Sequence, residues 1–254
     1  MQLKVLGSSG SRAPGYHASC LLINQSMLLD AGTVSFALSL ENQARIDDVL
    51  LTHAHLDHMV DLAFLADNMI GLRQEPIRVW GPQPVLDMVQ EYLFNDKVWP
   101  DFTRLPSLEK PVLKFYPLPA EGPVEIAGLS VRWAQTNHPV YTVGYLLETE
   151  ADAVLYSGDT GDTEAIWALG RGCDKLRGAF IETSFPNRLE DLALKSGHMT
   201  PAMLNTQLAK LDRNDVPVYI FHMKQQYLDE LHSELSQLNH PQLTVLRGGE
   251  IYDI

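Results

Sequence analysis

The chain is predicted to fold as a layered α/β protein, on three observations. Short runs of β-formers recur along its 254 residues. Between residues 48 and 94 the pattern reads strand, helix, strand, helix, which lays helices over a sheet. Val218-Tyr219-Ile220-Phe221 is continuously apolar, as strands are in sheets covered on both faces. A chain of this length supports one large core, so a single domain over residues 1–254 is expected.

Composition narrows the partners. Nineteen Lys and Arg stand against 32 Asp and Glu, a formal net charge of −13. Such a protein repels polyanions, so no nucleic-acid polymer is expected; a small anion held at a metal remains compatible. Cys20 and Cys173 stand far apart, outside any ligand spacing, and read as core thiols. Residues 1–6 enter the turn Gly7-Ser8-Ser9-Gly10 without an apolar leader, and no window reaches the length of a membrane span. A cytoplasmic location away from membranes is the expectation.

Strands are read at 3–6, 19–23, 27–30 and 48–52, separated by Gly, Asn and Ser turns. The fourth runs directly into Thr52-His53-Ala54-His55-Leu56-Asp57-His58. Side chains alternate along a strand and a tight loop can converge them, so His53 and His55 can share one metal while Asp57 and His58 face a second. Imidazole and carboxylate without thiolate suit zinc first, then manganese or iron. The competing reading is a histidine-rich surface loop, which four ligand-type residues in six positions at a strand end oppose.

His-Ala-His-Leu-Asp-His resembles the His-x-His-x-Asp-His motif of the metallo-β-lactamase superfamily, hydrolases that bind two metals between two β-sheets. The resemblance covers nearly the whole chain. It implies an αββα four-layer sandwich, two mixed β-sheets covered by helices. Asp30-Ala31-Gly32 is similar to the Asp-x-Gly loop under that family's metal site, although a turn aspartate explains it equally well.

Beyond His58, Val60, Ala63, Leu65, Ala66 and Met69 recur at helical spacing over 59–70, with Gly71 as a stop. A strand at 77–80, a turn at Gly81-Pro82-Gln83-Pro84 and a helix over 84–94 follow. Residues 93–102 carry Phe94, Trp99 and Phe102 without a period, suiting either a satellite core or stacking on a planar ligand. The same run resembles a Phe-Asn-x-x-x-Trp-Pro-x-Phe stretch of the class II cyclic nucleotide phosphodiesterases, a branch of the superfamily.

Strands at 112–116, 124–126 and 129–134 lead to Thr136-Asn137-His138-Pro139. His138 is either a turn residue or, given the opening motif, the third histidine on the first metal. Strands at 144–148 and 153–156 lead to Ser157-Gly158-Asp159-Thr160-Gly161-Asp162. Two cations a few ångströms apart need a shared anion; Asp159 is the expected bridge and Asp162 the runner-up. After a strand at 179–182, Thr200 can cap a helix that Pro201 begins and in which Leu204, Leu208 and Leu211 repeat. His198 falls just before that helix, by accident or because an anion is welcome there. Glu182-Thr183-Ser184-Phe185 followed by Gly197-His198-Met199-Thr200 resembles the segment that, in class II phosphodiesterases and tRNA 3′-end nucleases, supplies a catalytic histidine and its carboxylate partner. The resemblance implies those roles for His198 and Glu182. A strand over 218–224 places His222 at a strand end like His53 and Asp159, completing the second metal. A helix over 227–238 and strands at 243–246 and 250–252 close the chain.

The expected site is therefore a binuclear one: His53, His55 and His138 on one ion, Asp57, His58 and His222 on the other, and Asp159 between. Each ion keeps an open position, as catalytic sites do. A water shared between two zinc ions would be the nucleophile, with Asp57 accepting a hydrogen bond from it and His198 protonating the leaving oxygen. The expected reaction converts 3′,5′-cyclic AMP or GMP to the 5′-nucleotide. Phe185, Tyr141 and Trp99 are candidate base contacts; Lys224 is a phosphate contact or a plain surface lysine. Oligomeric state is left open by the sequence, with a homodimer as the candidate because many relatives of that family dimerise. The alternatives are a tRNA 3′-end processing endonuclease, whose gripping arm has no counterpart here, a thioester, lactone or lactam hydrolase, and a metal-binding module without turnover. A redox iron site in this superfamily resembles His-x-Glu-x-Asp-His, and position 55 is histidine.

Overall fold

The structure, a computed structural model, describes residues 1–238 and 240–254. Among the described residues, fourteen strands form two seven-stranded sheets. The first contains β1 (Gln2–Gly7), β2 (Cys20–Ile23), β3 (Met27–Leu29), β4 (Asp48–Leu50), β5 (Ile77–Gly81) and β6 (Leu113–Pro117). The second contains β7 (Val124–Ile126), β8 (Leu129–Gln135), β9 (Val143–Glu148), β10 (Ala153–Tyr156), β11 (Leu176–Glu182), β12 (Val218–Phe221) and β13 (Leu243–Val245); β14 (Ile251–Asp253) returns to the first sheet beside β1. Both sheets are mixed. β14, β1, β2 and β3 pair antiparallel and β3 to β6 parallel, while β7 to β10 pair antiparallel and β10 to β13 parallel.

The strands are apolar on both faces because each serves two cores. Met27, Leu29 and Leu50 point between the sheets, with Tyr145, Tyr156 and Phe180 opposite. Their neighbours Leu28, Val49 and Leu51 point outward onto the helices α2 (Leu56–Met69) and α3 (Gln83–Tyr92), which follow the short α1 (Leu40–Gln43) in the chain. The second sheet repeats the arrangement, with Leu155 and Ile181 under Ile166 and Trp167 of α4 (Ala165–Arg171). The same outer core takes Leu204 and Leu211 of α6 (Pro201–Leu211), which follows α5 (Glu190–Ser196), and Leu231 and Leu235 of α7 (Leu228–Ser236). Strand alternation thus sends successive residues to different layers, and the result is the expected αββα sandwich of helices over two mixed sheets.

Local differences have local causes. α2 begins at Leu56 rather than 59, so Asp57 and His58 occupy its first turn, and the acidic Asp57 suits the helix N-terminus. β12 stops at Phe221, because His222 takes φ +69°, which turns the chain out of the sheet. α4 and α5 have seven residues each, too short for an apolar period to stand out. The cap of α6 is as expected, with Thr200 Oγ1 accepting from Met203 N at 3.3 Å. Phe94 and Phe102 take the core role, their ring centroids 6.3 Å apart. No helix among the described residues is long and apolar enough to cross a membrane.

Candidate metal centre

The ligand-type side chains collect where strands of both sheets end. His53 and His55 follow β4, His138 follows β8, Asp159 follows β10 and His222 follows β12, while Asp57 and His58 open α2. One ligand atom each from His53, His55, His138 and Asp159 lie within 4.8 Å of one another, and so do those of Asp57, His58 and His222. Asp159 lies between the groups: its Oδ2 is 3.5 Å from His53 Nε2 and 3.3 Å from His222 Nε2, and its Oδ1 is 3.3 Å from His58 Nε2. His55 turns Nδ1 toward His138 Nε2 at 3.2 Å, and Asp57 Oδ2 is 3.3 Å from His222 Nε2.

The far side of each ring is held by the protein. Asp30, fully buried, accepts His58 Nδ1–H at 2.7 Å and the Thr52 hydroxyl at 3.0 Å, and the same hydroxyl oxygen accepts His53 Nδ1–H at 2.9 Å. Tyr156 adds a third side-chain donor to Asp30 at 3.3 Å. His138 Nδ1–H donates to Gly197 O at 2.8 Å. His222 Nδ1–H donates to Ser184 Oγ at 2.9 Å, and that hydroxyl donates to Glu182 Oε2 at 3.0 Å. With Nδ1 protonated and engaged, His53, His58, His138 and His222 each present an Nε2 lone pair to the centre, the orientation metal-binding imidazoles adopt.

A divalent cation fits this arrangement. His53 Nε2, His58 Nε2 and Asp159 Oδ1 are buried and have no hydrogen-bond partner. Each such orphan costs ~1–3 kcal/mol, and three converging on one volume, all nitrogen or oxygen donors, are satisfied together by cations. Burial, reinforced by neighbouring imidazoles, pushes the pKa of His53 well down and lowers those of His55 and His138, keeping them neutral as ligation requires. His58 differs: burial lowers its pKa too, but Asp159 and Asp30 raise it well above the usual value, so metal must displace a proton there. Asp159 stays ionised despite its burial because His222 and His58 flank it.

Beside this cluster sits a second constellation. His198 Nδ1–H donates to Glu182 Oε1 at 2.8 Å, and Glu182 is fully buried. The His198 ring lies 5.0 Å from that of His138 and 5.2 Å from that of His222, centroid to centroid, and one of its nitrogens falls within 4.8 Å of ligand atoms of Asp159 and His222. Burial lowers the His198 pKa, but the charge and hydrogen bond of Glu182 outweigh it and raise the net value. Phe185 covers His198 edge-on, ring centroids 5.8 Å apart.

The other sequence candidates have partners of their own. Trp99 packs edge to face on Phe64, 5.5 Å between centroids and six residues beyond His58 on α2, so its ring serves the helix surface. Tyr141 is half-buried where the first outer core meets the inner one. Lys224 donates its ammonium to Gly10 O, and its charge acts against that of His198. Asp162 turns away to Gln207 and Lys210, which leaves Asp159 as the carboxylate between the two groups. Sequence alone does not single out Ser184, Thr52, Tyr156 or Asp61. Asp61 is fully buried in α2, where its Oδ2 accepts Ser35 N at 2.6 Å and its Oδ1 accepts Arg12 Nη2 at 2.9 Å, tying two loops to the helix that carries Asp57 and His58. Its one signal in the sequence is an aspartate on an apolar helix face.

Two glycines let backbone approach the centre. A Cβ on Gly32 would sit 2.0 Å from Asp57 O, and one on Gly10 2.4 Å from His222 O.

Layered sheets with ligand-type residues at their strand ends suit a metal-dependent hydrolase scaffold, and similarity to known proteins gives its family. The family model described as beta-lactamase superfamily domain matches residues 26–223, most of the chain. The protein belongs to the metallo-β-lactamase superfamily. Among its relatives is a probable 3′,5′-cyclic-nucleotide phosphodiesterase of Yersinia pestis, 26% identical over 278 aligned positions that cover 88% of this chain and 78% of the relative. A ribonuclease Z of Mycobacterium sp. (strain KMS) is 30% identical over 159 positions, 57% of this chain and 52% of that one. The crystal structure of unliganded yeast PDE1 superposes with a TM-score of 0.83 at 18% identity, covering 100% of this chain and 99% of that chain, a likeness of fold.

Proposed function

We propose that the protein is a metal-dependent phosphodiesterase that hydrolyses 3′,5′-cyclic nucleotides, cyclic AMP or cyclic GMP, to the 5′-nucleotides. The observation that carries the reading is the His198–Glu182 pair, at 2.8 Å, set against the seven ligand-type side chains. Lactam and thioester cleavage have no evident need of such a buried acid. His53, His55 and His138 would hold one ion, Asp57, His58 and His222 the other, and Asp159 both; zinc is our assignment. When bound, the ions supply Lewis acidity toward phosphoryl oxygens and a water made acidic enough to act near neutral pH.

The chain's own residues provide positioning and protons. Asp57, at the mouth of the cluster, accepts a hydrogen bond from the attacking water and orients it toward phosphorus. His198 has Nδ1 committed to Glu182, which leaves Nε2 to donate its proton to O3′ as the P–O3′ bond breaks. Water thus adds its hydroxyl to phosphorus, and O3′ leaves as a hydroxyl, giving the 5′-nucleotide. General acid help of this kind contributes ~10²–10⁴-fold. Phe185, beside His198, is our base or ribose contact, and Lys224, whose charge reaches His198, is our phosphate contact.

The substrate class draws support from the name of the Yersinia pestis relative, which aligns along most of the chain, and from the net charge of −13, which disfavours a polyanion. The ribonuclease Z relative, matching 57% of the chain, supports a second reading, cleavage of tRNA precursors at the same centre. Parallel assays of the zinc-loaded protein on both cyclic nucleotides and on an unprocessed tRNA separate the two. Turnover of a cyclic nucleotide with intact tRNA is the expected result; the reverse would replace the first reading by the second.

A further inference from the structure

None of the seven ligand-type residues lines a cavity of about 830 Å³ that lies between β1 of the first sheet and β12 and β13 of the second. Its floor is apolar, built from Ile220, Met223, Leu228, Val245 and Leu246. Its basic residues are Lys4, His17, His232 and Arg247, and among the described residues no Asp or Glu lines it. That is an anomaly of charge, because acidic residues outnumber basic ones by 32 to 19 in the chain. Ten of the eleven arginines are ion-paired with a carboxylate. Among the described residues Arg247 has no such partner, and neither does Lys4. The acid nearest Arg247 in sequence, Glu250, is engaged elsewhere: its Oε2 accepts the backbone N–H of Arg247 and the hydroxyl of Tyr252, both at 2.8 Å. Gly248 and Gly249 follow in the lining, and a Cβ on Gly249 would meet nothing within 4 Å, so the wall beside Arg247 stays open.

We propose that this cavity is a binding site for a small organic anion with an apolar body, separate from the metal centre. The body rests on the floor of Ile220, Met223 and Val245, and a carboxylate, sulfonate or phosphate head meets Arg247 and Lys4. The volume falls within the range of ~300–1,000 Å³ that small-molecule sites occupy, and few polar groups on an apolar lining is their usual make-up. An arginine fork matches such a head in geometry as well as charge.

The probe is 8-anilinonaphthalene-1-sulfonate, an anion of this description, titrated by fluorescence against the metal-loaded wild type, Arg247→Gln and His232→Glu. Both positions are exposed, and melting temperatures verify that both variants fold. Expected is saturable binding by the wild type, weakened about tenfold or more in each variant through loss of a charge-assisted contact or gain of a repelling carboxylate. Octyl phosphate should displace the probe and octylammonium should not. No saturable binding by the wild type, affinity unchanged in both variants, or equal displacement by the two octyl compounds overturns the proposal.

Discussion

Glu182 binds His198 through one oxygen and, through the Ser184 hydroxyl, His222 through the other. A single carboxylate therefore orients both the proposed acid and a proposed ligand. Glu182→Gln removes the charge that raises the His198 pKa and leaves burial, which lowers it. The acid is active while protonated, so activity falls as pH rises through that pKa. The descending limb of the pH–rate profile should lie at lower pH in Glu182→Gln than in the wild type; an unmoved limb removes His198 from the acid role. Asp30 is the counterpart on the other side, holding His58 and, through Thr52, His53. Losing such an outer partner typically costs ~10–100-fold in metal affinity, so Asp30→Asn should need that much more zinc to load in a chelator competition. The convergence of the histidines and Asp159 was legible because a chain seldom sets so many imidazoles and carboxylates at strand ends without bringing them together. Asp30 could be weighed but not decided, since a turn aspartate and a carboxylate beneath a metal site look alike in sequence. Ser184 gave no signal, because its role exists only once residues 182, 198 and 222 meet.

At the scale of elements, strand termination makes the site. β4, β10 and β12 all stop within three residues of a ligand-type residue, and Gly32 and Gly10 let neighbouring loops press on Asp57 and His222. Gly32→Ala forces a methyl group into the Asp57 carbonyl at 2.0 Å. The backbone at the start of α2 must then shift, and metal affinity should drop even if the fold survives, as zinc content after dialysis would reveal. Leu50→Ala probes the layer between the sheets instead: that side chain is fully buried, and its loss should cost ~2–5 kcal/mol in a denaturant titration, with the metal site spared in the folded fraction. Strands and the long helices were readable from their periods, whereas α4 and α5 span only seven residues each and the early start of α2 was hidden by the ligand-type residues that fill its first turn.

For the whole molecule, the metal centre couples the two sheets, since its residues come from both. Ions that bind the folded chain and not the unfolded one stabilise by mass action, ~2.7 kcal/mol at a hundredfold excess over Kd. Chelation should therefore lower the melting temperature and re-addition of zinc restore it, and the effect should weaken at low pH, where protons hold His58 against the metal. The four-layer architecture was legible at family level because the opening motif resembles one scaffold closely; the cavity beside Arg247 was not, because residues 4, 17, 232 and 247 have no sequence relation to one another.

The decisive experiment on the proposed activity is turnover of cyclic AMP and cyclic GMP by the zinc-loaded wild type beside His198→Ala, with bound metal quantified in both. Expected are hydrolysis by the wild type, a loss of ~10²–10⁴-fold in kcat in the variant, and equal metal content. A fully metallated wild type that leaves both cyclic nucleotides intact, or a variant that retains full activity, would contradict the proposed chemistry.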